Sequence, residues 1–146
     1  MAQTGVYPVL NNIFKIGTSG LQSTTDQMVP IKDLTTFSVS FDNNVEEWTP
    51  MDQEGWVRRL MTGKGIKISL SGKRCVGDAG NDYVAGLAFK SGQDVETKFE
   101  WTFPSGLNVE FNAVVNLTNV GGGEATDAAP LEFEVMTNGK PTVTEA

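Results

Sequence analysis

The amino-acid sequence predicts a mainly β domain of antiparallel strands with one short surface helix. Three observations carry that prediction. Apolar and polar residues alternate at period two in five separate segments, a tight-turn sequence joins the two longest of them, and a helical apolar stripe occurs once. At 146 residues and 15.7 kDa the chain has room for a single domain, 1–146, around one core. Area scaling gives a folded surface of roughly 7,000 Å², about a third of the unfolded value, so that core needs no disulfide or metal.

The first thirty residues, 1–30, are weakly patterned and form an N-terminal segment expected to order on assembly. Val6, Tyr7, Val9 and Leu10, then Ile13, Phe14 and Ile16, are strand pieces. Gly17, Gly20 and the run Ser23-Thr24-Thr25-Asp26 read as a mobile or partner-dependent loop. The first clear strand places Phe37, Val39 and Phe41 against Thr36, Ser38 and Ser40, and a second places Ile66, Ile68 and Leu70 against Lys67, Ser69 and Ser71.

Between Asp42 and Gly65 the pattern breaks, although Val45 to Met51 could extend a strand. Trp48, Met51, Trp56, Leu60 and Met61 crowd a stretch without a clear period. Two readings stay open. Either these residues fold back on the core, or 42–61 is a projecting arm whose apolar side chains are buried only against a neighbouring subunit. Interface anchors are rich in Trp and Arg, which makes Val45, Trp48, Met51, Trp56, Arg58 and Arg59 the contact candidates.

The helix is predicted after Asp78 or Asn81 as cap, with Asp82 in its positive first turn and Tyr83, Val84, Leu87 and Ala88 as its apolar stripe, ending near Lys90 and Gly92. Gly86 costs about 1 kcal/mol relative to alanine, so packing must support it. Two strong strands follow. Val95, Thr97, Phe99, Trp101 and Phe103 share one parity, as do Leu107, Val109, Phe111, Ala113, Val115 and Leu117, and Pro104-Ser105-Gly106 between them makes 94–118 a hairpin. After the Gly121-Gly122-Gly123 loop a last strand sets Leu131, Phe133 and Val135 against Glu132, Glu134 and Met136, and ends at the turn pair Asn138-Gly139.

Composition removes most chemistry. The chain contains no histidine, so no Ser-His-Asp or Cys-His arrangement can form within the subunit. Cys75 is the one cysteine, which excludes an intrachain disulfide and a Cys-x-x-Cys site. Asp26, Asp33, Asp42, Asp78 and Asp82 match neither an EF-hand nor a two-metal spacing, and Gly63-Lys64-Gly65 precedes an alternating strand, so it is a turn and no P-loop. No enzyme activity, catalytic residue, cofactor or metal is expected. The beginning of the chain lacks the pattern of a secretory leader and no stretch is long enough to span a membrane, so a product of a reducing cytoplasm is expected, without membrane association.

Formal net charge is −7, and the basic residues are scattered apart from Arg58-Arg59 and Lys73-Arg74, so no groove for gripping phosphates is expected. Glu96, Glu100, Glu110, Glu132 and Glu134 all stand opposite core residues. Ordinary solubility would account for them in an isolated domain. If copies closed a ring with this sheet inward, the same residues would line an acidic wall, Lys98 being a minor interruption, past which a DNA duplex slides without sticking.

Several stretches in this order resemble the major tail tube proteins of long-tailed phages. They are Val45-Glu46-Glu47-Trp48 and Gly55-Trp56, the run MTGKGIKISLSGKR at 61–74, GDAGNDYVAGLAF at 77–89, FPSG at 103–106 and LEFEVMTNGKP at 131–141. The likeness covers most of the chain and is one of order and texture, without invariant catalytic motifs. It implies a β-sandwich or barrel-like tail tube fold, hexameric rings stacked into a hollow tube, DNA passing through the lumen without specific binding, and tape measure and tail tip or terminator proteins as partners. The place implied is the virion tail, after synthesis in the host bacterial cytoplasm. No appended immunoglobulin-like domain is expected. A second reading, from another class, is a carbohydrate-binding or adhesin-like β-sandwich using Tyr7, Trp48 and Trp56 as stacking platforms.

Overall fold

The computed structural model describes residues 4–145. In chain order come β1 (Ile13–Gly17), β2 (Met28–Pro30), β3 (Leu34–Phe41), β4 (Asn44–Trp48), β5 (Arg58–Gly63), β6 (Ile66–Lys73), α1 (Ala79–Gly86), β7 (Glu96–Thr102), β8 (Asn108–Val120), β9 (Pro130–Thr137) and β10 (Thr142–Thr144). The period-two segments all become strands. Their antiparallel ladders build an eight-stranded sheet in the order β2-β1-β7-β8-β9-β6-β3, with β10 added to β8.

The edge strands of that sheet, β2 and β3, are neighbours in sequence. Only residues 31–33 join Pro30 to Leu34, a reach of at most about 14 Å for an extended chain. The two ends of the sheet therefore meet, and the sheet curls into a barrel. Across the closure the Phe37 ring of β3 lies 4.7 Å from Phe14 of β1 and 5.7 Å from Trp101 of β7, edge to face in both cases. The expected sandwich or barrel is thus one rolled sheet, with the inward parity of each strand as its core. Ile16, Ile68, Leu70, Phe99, Phe111, Ala113, Val115, Leu131, Phe133 and Val135 are all buried there. Thr97 shares this interior because its hydroxyl donates to the Gly17 carbonyl at 2.7 Å.

The helix closes the seam. Asp78 caps α1 by accepting from the Asn81 N–H at 3.1 Å, and the same carboxylate accepts from the Lys32 N–H in the β2–β3 join. Asn81 is fully buried and satisfied on every side. Its amide donates to the carbonyls of Lys32 (3.1 Å) and Lys73 (3.0 Å), while its oxygen accepts from Arg74 (2.8 Å) and the Cys75 N–H (3.0 Å). The predicted surface helix accordingly has one face in the core, where Val84 and Leu87 are buried. It ends at Gly86 and passes into turns that reach Lys90.

The loop at Gly17, Gly20 and Ser23 to Asp26, expected to be mobile or partner-dependent, makes two 3-10 turns: Ser23 is buried, donating to Gly20 O (2.6 Å) and accepting from the Ser19 N–H (3.0 Å), and Thr24 with Gln27 forms a capping box. One turn differs from expectation. Asn138-Gly139, read as the end of the last strand, is a break within it. β9 pairs β8 as far as Thr137↔Ala113, the Asn138 N–H still reaches Asn112 O at 2.8 Å, and β10 resumes on β8 at Thr142↔Glu110. The chain bulges and continues instead of reversing.

Candidate assembly surfaces

The irregular stretch after Asp42 is a β-hairpin. β3 and β6 pair up to Phe41↔Ile66, the Asp42 N–H bonds Gly65 O at 2.8 Å, and the ladder resumes at Asn44↔Gly63 to run to Trp48↔Arg58. One long hairpin thus leaves the main sheet where β9 ends. Beyond that point β4 and β5 pair only with each other. Strand rise over the seven residues from Phe41 puts Trp48 about 23 Å past the sheet end.

This geometry explains why the sequence showed no period there. One face carries Val45, Met61, Glu47 and Arg59, the other Glu46, Leu60, Trp48 and Arg58, so both faces mix apolar and charged residues and neither meets the core. Of the contact candidates, Glu47-paired Arg59 sits at 2.6 Å from its carboxylate and Arg58 lies over the Trp48 ring at 5.8 Å. Such exposed contacts contribute about 0.5 kcal/mol each and orient the strands more than they stabilise them. Trp48 and Val45 are exposed on the legs, while Met51 and Trp56 project from the tip, 104% and 76% exposed. The reading in which these residues fold back on the core is set aside by those exposures.

The charged candidates come together on the outer face of β7, β8 and β9. Glu100 stands opposite Glu110, Lys98 opposite Asn112, Glu96 opposite Val114, and Glu134 and Glu132 opposite Asn116 and Asn119. Most of the carboxylates take an amide donor: Asn138, in the break between β9 and β10, bonds Glu96 at 2.6 Å, and from the paired strand Asn108 bonds Glu100, Asn119 bonds Glu132 at 3.5 Å, and Asn116 bonds Glu134 at 3.2 Å. Glu134 also pairs with Lys67 at 3.4 Å. Burial pushes its carboxyl up, but the hydrogen bonds from Asn116, Lys67 and Ser69 and the Lys67 charge outweigh that and hold it below the usual range.

Sequence reasoning named one lysine on this face and missed three. Lys15 stands opposite Glu100 on β1, and Lys67 and Lys73 share the outward parity of β6. The face is therefore a mosaic of glutamate and lysine and not a uniform acidic wall. The signal was present in the alternation itself, since Lys67 opposes Ile66 and Ile68, and Lys15 lies between Phe14 and Ile16.

Two open clefts flank these surfaces. One, of about 420 Å³, lies at the barrel seam between Val9, Leu10, Ile13, Pro30 and Phe37; the other, of about 550 Å³, lies at the foot of the hairpin. Among the described residues no three His, Cys, Asp or Glu converge to hold a metal ion, and no helix is long and apolar enough to cross a membrane.

Comparison with solved structures decides the fold. A chain in the tail of an empty gene transfer agent particle with C6 symmetry superposes with a TM-score of 0.74 at 18% identity, covering 95% of this chain and 99% of its own. A chain of the native gene transfer agent virion gives 0.71 at 17% identity, with 95% and 99% covered. The chain has the tail tube fold. A chain of the anti-feeding prophage cap, described as a tube-terminating cap, shares that tail tube fold with a TM-score of 0.63 at 18% identity, covering 100% of this chain and 95% of its own. The likeness spans gene transfer agents and the anti-feeding prophage, so the tail tube fold is not tied to long-tailed phages in particular. No protein-family model and no curated protein sequence matches the chain.

Proposed function

We propose that the chain is a structural subunit that polymerises as stacked six-membered rings into a hollow tail tube and catalyses no reaction. The observation that carries this reading is the tail tube fold over nearly the whole chain, shared with a subunit of a C6-symmetric tail. The exposed surface supports it. The chain exposes 9355 Å², against the roughly 7,000 Å² of a compact domain of this mass, and the excess is on the scale of a stable interface.

In this reading the face bearing Glu96, Lys98, Glu100, Glu110, Glu132 and Glu134 lines the lumen, and each carboxylate held by an amide presents fixed negative charge to passing DNA. The hairpin, with Val45, Trp48, Met51, Trp56, Arg58 and Arg59, and the N-terminal segment make the contacts between subunits and rings. Tape measure and tip or terminator proteins complete the assembly, in the tail of a phage-like particle made in a bacterial cytoplasm. The sugar-platform reading has less support, because Arg58 already lies over the Trp48 ring.

Sedimentation velocity and negative-stain electron microscopy of the concentrated protein test the proposal. Rings or tubes with a central hole are expected. A chain that stays monomeric at every concentration overturns it.

A further inference from the structure

At the foot of the hairpin the break between β9 and β10 leaves a corner of the barrel without cover. The Ile66 N–H bonds the Thr137 hydroxyl at 3.0 Å in place of a backbone partner. Phe41 and Val143 are 56% and 53% exposed. With Ile66 and Pro141 they line the 550 Å³ cleft, and Lys64 and Lys140 stand on its rim with no carboxylate in the lining. A cleft of this size accommodates one or two large side chains.

The hairpin tip has the complementary character. A 3-10 turn at Met51–Gln53, then Glu54 (φ 54°) and Gly55 (φ 89°) in the left-handed region, turn Met51 and Trp56 outward. Asp52 and Glu54 lie between them in the turn, while the nearby cations Arg58 and Arg59 are occupied by Trp48 and Glu47. The tip cannot enter its own cleft, because the hairpin carries it more than about 20 Å away from the corner where the cleft lies.

We propose that the tip of one copy, Met51 and Trp56 with Asp52 and Glu54 in the turn between them, seats in the cleft of a second copy, lined by Phe41, Ile66, Pro141 and Val143 together with Lys64 and Lys140. This rests on the self-assembly reading above and names the surface that receives the hairpin. Tip and cleft are different patches of one chain, so the contact is head to tail and passes from copy to copy, as a ring or stack requires. Apolar burial supplies the attraction, and the opposed charges fix the register.

Full-length chains in a Cys75→Ser background test it. Mixing Met51→Cys copies with Val143→Cys copies under oxidation is expected to give a covalent dimer of one of each. Reversing the cleft (Lys64→Glu with Lys140→Glu) or the tip (Asp52→Lys with Glu54→Lys) is expected to raise the concentration at which assembly begins by about tenfold, and all four changes together to restore it. Assembly with no mixed cross-link and with independent, additive reversals overturns the docking and leaves self-assembly standing. A cross-link within one chain carrying both cysteines overturns it too. Failure of the Cys75→Ser and wild-type chains to associate at all removes the self-assembly reading and this inference with it.

Discussion

Glu100 and Glu110 face each other directly across the β7–β8 ladder, two like charges at one register position on the outer face. Asn108 binds Glu100, and Lys15 stands opposite it on the other side, but the pair remains unfavourable for an isolated subunit. Glu110→Gln is expected to raise the unfolding free energy of the monomer by about 0.5 kcal/mol, read from urea titrations, with the gain shrinking at high salt. No gain at low salt would mean that Lys15 and Asn108 already offset the repulsion.

Asn81 is the rivet of the barrel seam. Asn81→Ala removes four hydrogen bonds and leaves the carbonyls of Lys32 and Lys73 without that partner. A loss of about 3 kcal/mol is expected, visible as a lower urea midpoint at unchanged slope. A loss below about 1 kcal/mol would mean that the helix is not what holds the join.

Gly72 lies under the same join, and a Cβ there would meet the Asp33 carbonyl oxygen at 2.2 Å and Leu34 Cα at 2.7 Å. Both are backbone atoms, so relief requires moving β3 off β6. Gly72→Ala is expected to destabilise by about 2 kcal/mol or more and to speed amide exchange in β3 ahead of β7 and β8.

Acid should weaken the seam at Asp82 and the sheet at Glu134. Asp82 accepts from Arg74 at 2.8 Å and from the Gly77 N–H; the Arg74 hydrogen bond, with those of the backbone, holds its carboxyl below the ordinary 3.8 against a smaller push from burial. Glu134 is held below its ordinary 4.5. A carboxyl depressed in the folded state contributes stability that is fully present above its unfolded value and is lost as pH falls through the folded one. Urea midpoints should therefore hold steady near neutrality and fall below about pH 4.5, and Asp82→Asn with Glu134→Gln should flatten that fall. An unchanged slope in the double variant would assign the acid sensitivity elsewhere.

The hairpin separates folding from assembly. Met51→Ser with Trp56→Ser alters side chains that touch solvent, so monomer stability should stay within about 0.5 kcal/mol of wild type while assembly is lost. Destabilisation by more than about 2 kcal/mol would mean that these residues pack on their own barrel.

The five alternating strands, the 94–118 hairpin, the inward and outward parity within those strands and the absence of histidine chemistry were legible in the sequence. Each follows from local rules: a pleat of period two, a turn sequence, a composition. Tertiary structure alone decided three other things. The barrel closes because a three-residue join brings the edge strands together, and Asn81, unremarkable in sequence, becomes the buried group that satisfies that join. Asn138-Gly139 bulges along β8 instead of reversing, because open ladder positions at Glu110 and its neighbours were available to capture β10. And the stretch after Asp42 looked irregular because both faces of its hairpin lack a core partner, so polarity had no inside to follow; its register was set by the β3–β6 ladder that it extends, a pairing between residues up to thirty-eight positions apart that no local pattern records.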